Sequence, residues 1–297
     1  MVTGIGFLTT SMISGVLVAW GGMRAALLLA LLLTALVIVH LWLLKLDEGR
    51  VAPHPDAAAE KPRVDIRGTI KVIAAVPGLF ALILFATLNN LLGGIFMALL
   101  DAYGLSLVPV EIWGLLFGVL STAFILSGII IAKTGLGKKP LRTLLLVNLI
   151  TWLVCCVFTI QSSIWLLAVG IFVWMLLAPY AEAAEHTTLQ KVVPIERQGR
   201  VFGFAQSVEQ SASSLTAFLI APIAEFVFIP FMTTGSGADL IGGWFGTGPE
   251  RGIALVFTLA GLAGVLVTIL AFNSKYYRQL SDAYAKSPNL TEAPAAA

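Results

Sequence analysis

Apolar residues in this chain come in solid blocks, and the charged residues gather in the short segments between them. A bilayer core of about 30 Å needs about twenty apolar residues at 1.5 Å rise per residue. Eight blocks of that kind fall at roughly 2–20, 24–45, 77–101, 112–132, 141–160, 164–186, 203–230 and 252–273. They are too long and too continuous for barrel strands, which alternate and span about 9–11 residues. In lipid the backbone must satisfy its own hydrogen bonds, so each block predicts a transmembrane helix. The pattern therefore predicts an all-α polytopic membrane protein.

The polar spacers give the organisation. Residues 46–68, "LDEGRVAPHPDAAAEKPRVDIRG", are charged and rich in Pro and Ala, which reads as a flexible connector. Residues 62–75 then suit a short amphipathic helix on the membrane surface. If residue 1 lies inside, 16 of the 18 Lys and Arg residues fall on inner segments, and only Arg24 and Arg251 fall outside. The positive-inside rule selects that orientation, with both termini cytoplasmic. Trp20, Trp42, Trp113 and Trp165 fall near block ends, as an aromatic belt would. The outer segment 231–251, "FMTTGSGADLIGGWFGTGPER", reads either as a flexible connector or as a structured lid. Pro222 predicts a kink in its helix, with Glu225 solvated just beyond it.

Composition narrows the function classes. Charged residues make up 11% of the chain, against about 25% in a soluble domain. The net charge of +2 gives no reason to expect nucleic acid as a partner. The expected partners are the lipid bilayer and a small-molecule substrate. Cys155 and Cys156 are adjacent within one block, point apart on a helix, and read as small apolar fillers. No basic stretch precedes the first block, so it reads as a membrane span rather than a cleavable signal.

Three ionisable residues sit where the sixth block ends: Glu182, Glu185 and His186. Offsets of three and four put them on one helical face. Charged groups in spans face a bundle interior or a wet cavity. Counting from Trp165, Glu182 lies about 25 Å along the helix, which places the cluster toward its cytoplasmic end. The next block offers a matching stripe: Gln206, Glu209, Gln210 and Ser213. The two faces are expected to meet and line the inner half of a cavity. There Glu182, Glu209, Glu185 and His186 are candidates for carrying a proton. The competing reading is an interfacial acid, solvated or paired with Arg197 or Arg200. Asn89 and Asn90, near the middle of the third block, read as an interhelical hydrogen bond or as cavity lining. Asp101 and Glu111 flank an outer loop and read as solvated. Gly93, Gly94, Gly114 and Gly118 read as close-packing positions.

Metal and enzyme chemistry fit poorly. "EAAEH" is an H-x-x-E-H zinc motif with Glu182 in place of its first histidine, and His40 and His54 are distant. Neither G-x-S-x-G nor a phosphate-binding Gly-x-x-x-x-Gly-Lys occurs. The expectation is no metal, no cofactor, and a proton gradient as the energy source.

The segment "VVPIERQGRVFGFAQS" resembles the cytoplasmic loop between helices 10 and 11 of major facilitator superfamily transporters. "AKTGLGKKPLRTLL" resembles the C-half version of that superfamily's basic loop between helices 8 and 9, without its usual aspartate. "GLFALILFATLNNLLGGIFMALLDAYGLS" and the order that follows are similar to the DHA3-type branch of drug:proton antiporters. The resemblance implies a major-facilitator fold of about eight helices, equivalent to helices 5–12 of twelve. Residues 1–45 would be the last two helices of the N-terminal half and 46–76 the inner linker. Residues 77–273 would be a complete six-helix C-terminal half, and 274–297 a cytoplasmic tail. Four helices would then be missing, so an absent N-terminal segment is an expected partner. Lys138, Lys139 and Arg142, with Glu196, Arg197 and Arg200, would brace the inner gate.

The function the resemblance implies is proton-coupled export of small hydrophobic or amphipathic compounds across a bacterial inner membrane, by alternating access. Lysophospholipid or siderophore-like cargo is a second reading. A third, of a different class, is an N-truncated remnant that acts only as a scaffold.

Overall fold

A computed structural model describes residues 2–44 and 66–287. Seven helices among the described residues are long and apolar enough to cross a membrane. The linker residues Lys45, Arg50, Lys61 and Arg63, the start of the expected surface helix at 62–65, and residues 288–297 lie outside the described residues.

The first two blocks belong to one element, α1 (Val2–Leu43), which turns at Gly22, where φ is 67°. That left-handed conformation is open to glycine and strained for other residues. The expected second span is seen as Trp20–Leu43. Residues 2–20 are helical along the backbone, and most of their side chains lie outside the described residues. Beyond the turn α1 exposes Leu, Val and Trp side chains on every side, and no residue from 20 to 44 is buried.

After the linker comes α2 (Ile66–Ala75), a short amphipathic helix that buries Thr69 and Ile73. Six spans follow. The first is α3 (Leu79–Leu107). The second, Val110–Thr134, breaks at Ser121 into α4 (Val110–Leu120) and α5 (Thr122–Thr134). The third is α6 (Pro140–Val157), whose proline sits in the first turn, where its missing N–H costs nothing. The fourth is α7 (Ile164–Val192), capped by the Ser163 hydroxyl. The fifth is α8 (Ile195–Ile223), continued by a π-helical turn (Ala224–Phe228) and α9 (Ile229–Thr233). The sixth is α11 (Pro249–Asn273).

Four features depart from the sequence reading. The helix of α7 runs on to Val192, not 186, because hydropathy falls at Glu182 while the backbone stays helical. α8 starts at Ile195, so Glu196, Arg197 and Arg200 lie in its first two turns rather than in a loop. The glycine-rich segment 231–251 carries a helix, α10 (Ser236–Phe245), so it is structured over those residues. Trp113 is buried and is not a belt residue, because its ring packs on Gly104 and its Nε1 donates to Asp101 Oδ1 at 3.0 Å. Trp20, Trp42 and Trp165 are exposed.

The tail begins with α12 (Lys275–Lys286), which is capped by Ser274 and folds back on the bundle through Leu280. Its Tyr284 ring carries the Lys191 ammonium 4.3 Å from its centroid, and burial there pushes the Tyr284 hydroxyl up from its usual pKa.

Two apolar cores stack along the bundle. One gathers Leu99, Tyr103, Phe158, Phe245 and Phe257, and the other Ile73, Leu82, Leu144, Leu189, Val201 and Leu280. The basic residues of α2, the α5–α6 and α7–α8 turns and α12 all adjoin the second core. Arg251 alone, among the described basic residues after the linker, belongs to the opposite end.

Candidate functional site

Close packing of α3 on α8 sets the site. A Cβ on Gly94 would run into the Ser213 carbonyl oxygen, whereas one on Gly93 would meet open space. Both helices run from the second core toward the first, so one turn back from this contact puts Asn90 level with Glu209. Glu209 is buried, although it lies about 21 Å along α8 in an apolar span.

α7 completes the site from the other side. The carboxyl groups of Glu185 on α7 and Glu209 on α8 are neighbours across the two helices, and Glu182 is a further acid close to Glu185. An ionised carboxylate only accepts hydrogen bonds, so a direct bond between these two acids requires a proton on one of them. Next to them, Gln206 Nε2 lies 3.5 Å from His186 Nε2, and the His186 ring stands edge-on to Phe202 with centroids 5.6 Å apart. Glu182 is exposed, as are Gln206 and Gln210, and Ser213 is half-buried against α3.

The two asparagines part company. Asn89 donates to the Phe85 carbonyl at 2.8 Å and accepts from Trp152 Nε1 of α6, also at 2.8 Å. Trp152 in turn rests against Gly264 of α11, so Asn89 anchors a contact of three helices. Asn90 donates only to Ala86 of its own helix, at 3.1 Å, and is half-buried. The basic residues Lys138, Lys139 and Arg142 are exposed at the α5–α6 turn, and Glu196, Arg197 and Arg200 are exposed on α8. Among the described residues no group of three His, Cys, Asp or Glu side chains is placed to hold a metal ion.

One residue escaped the sequence reading. Arg251 is 1% exposed. Its Nη2 donates to the Ile160 carbonyl at 2.8 Å, and its Nη1 reaches Tyr103 Oη and Ser162 Oγ, both at 3.3 Å. The guanidinium carbon lies 4.2 Å from the Phe245 ring centroid, and Nε has no partner. A single arginine thus ties α3, the α6–α7 turn, α10 and α11 together at the end of the first core. The signal for it was its place on the side that the positive-inside rule leaves nearly free of cations.

The family model described as Major Facilitator Superfamily matches residues 1–217. No curated protein matches the chain. No solved structure matches it either.

Proposed function

The chain belongs to the Major Facilitator Superfamily and is a secondary transporter, and from that premise we propose that it exports small hydrophobic or amphipathic compounds in exchange for protons. The observation that carries this reading is the placement of Glu185 beside the buried Glu209 where α7 meets α8, next to the His186–Gln206 contact. Two carboxyl groups held together bind one proton between them and repel when it leaves. Because the acids sit on different helices, loss of the proton pushes α7 and α8 apart. This class of transporter alternates access by rocking one helical bundle against the other about a shared site, and a change in how α7 packs on α8 alters the face that this bundle presents.

Under this reading Glu185 and Glu209 form the coupling pair. His186 and Gln206 orient its surroundings, and Glu182 is the exposed acid through which protons exchange. Asn90, Gln210 and Ser213 line the cargo cavity, and the basic inner turns brace the closed inner face.

Everted membrane vesicles holding the chain, acidified inside, test it with ethidium as the transported probe. Glu185→Gln and Glu209→Gln should each abolish ethidium movement driven by the pH gradient. If both variants transport at the parent rate, the pair is not the coupling site.

A further inference from the structure

A groove of about 260 Å³ opens on the flank of the bundle, between the first turns of α3, the start of α6, the last turns of α11 and the start of α12. Its walls are apolar: Leu84 and Leu88 from α3, Leu145 from α6, Leu270 from α11, and Tyr276 and Leu280 from α12. Sites for drug-sized cargo run to about 300–1,000 Å³, so this groove is too small to be one. It also lies on the outside of the bundle. Phe80, Leu84, Leu266 and Leu270 around it are 49–61% exposed, a face that meets lipid in a bilayer.

One end of the groove is charged. Lys275 is exposed, with its ammonium 5.3 Å from the centroid of the Tyr276 ring that forms the wall. Arg278 is exposed one turn along α12. The wall also includes Gly78, the residue that opens α3 in a left-handed conformation with no side-chain cap. An apolar slot in the membrane with cations at the end where the basic turns gather matches one molecule, a lipid with a negative head.

We propose that this groove is a binding site for an anionic phospholipid. One acyl chain lies along Leu84, Leu88 and Leu270, and the phosphate is held near Lys275 and Arg278. The lipid seats α12 against α3, where Gly78 and Tyr276 already touch so closely that a Cβ on Gly78 would strike the Tyr276 carbonyl oxygen.

The test uses the full chain in lipid nanodiscs doped with phosphatidylglycerol or phosphatidylcholine, each carrying a photoreactive group in its acyl chain. Labelled peptides are mapped by mass spectrometry. Labelling of residues 79–88 and 267–274 should be several-fold stronger with phosphatidylglycerol. The double change Lys275→Gln and Arg278→Gln should bring the two lipids level. Leu84→Trp, which fills the slot at an exposed position, should remove groove labelling while α1 stays labelled. Thermal melting of each variant confirms that it is folded. Equal labelling by the two lipids in the parent chain, or groove labelling no stronger than on α1, overturns the proposal. So does cross-linking of the groove to a second copy of the chain instead of lipid.

Discussion

At the scale of single residues, two buried polar groups behave in opposite ways. Arg251 has neutral partners and a ring, while Glu209 has another acid. Removing Arg251 strands the buried Tyr103 hydroxyl and the part-buried Ile160 carbonyl, and each unsatisfied buried group costs about 1–3 kcal/mol. Arg251→Met should therefore lower the melting temperature of the purified protein clearly. Arg251→Lys should rescue little of it, because an ammonium cannot reproduce the guanidinium fork or its stacking. A melting temperature unchanged in both would mean that the cluster contributes nothing to stability. Glu209→Gln should leave the fold intact or firmer, since an amide donates to Glu185 without needing a shared proton. The sequence placed Glu182, Glu185 and His186 on one helical face. It could not rank them, because offsets of three and four still differ by tens of degrees in direction. That difference leaves Glu182 exposed while Glu185 meets Glu209.

At the scale of helices, small residues decide which surfaces meet. Gly94 lets α3 approach the backbone of α8, and Gly264 receives the Trp152 ring. Gly94→Val should separate α3 from α8 and destabilise the protein by about 1–3 kcal/mol, the usual cost of overpacking. Gly93→Ala, which meets open space, should be neutral or slightly stabilising through helix propensity. Melting of the two variants side by side checks the pair, and equal losses would count against the packing account. The glycine pair was legible in the sequence, but the burden each carries was not. Pro222 was legible as a disturbance, and the helix absorbs it as a π turn over Ala224–Phe228 with Glu225 exposed. Helix ends were read short at His186 and late at Gly203, because hydropathy marks where apolar residues stop rather than where backbone hydrogen bonds do.

At the scale of the whole molecule, charge sorts by end. The basic turns crowd the end of the second core, and helix α10 lies at the other. Block hydropathy sufficed to foresee the six spans that follow the linker. Nothing in it could foresee α12 folding back on the bundle, since the contact of Leu280 with the second core joins residues far apart in the chain. The positive-inside rule predicts which end faces the cytoplasm. In a background lacking Cys155 and Cys156, a cysteine at Trp244 should react with an impermeant maleimide on intact cells, and one at Lys139 should not. The reverse pattern would invert the orientation and with it the side from which protons enter.

The central claim is that Glu185 and Glu209 hold one proton between them, and the infrared carbonyl stretch of a protonated carboxyl reads this most directly. The purified parent protein should show that band at neutral pH, lose it as pH rises, and lack it in both Glu185→Gln and Glu209→Gln. A band that survives in both variants, or is absent from the parent at neutral pH, would contradict the shared proton and the coupling built on it.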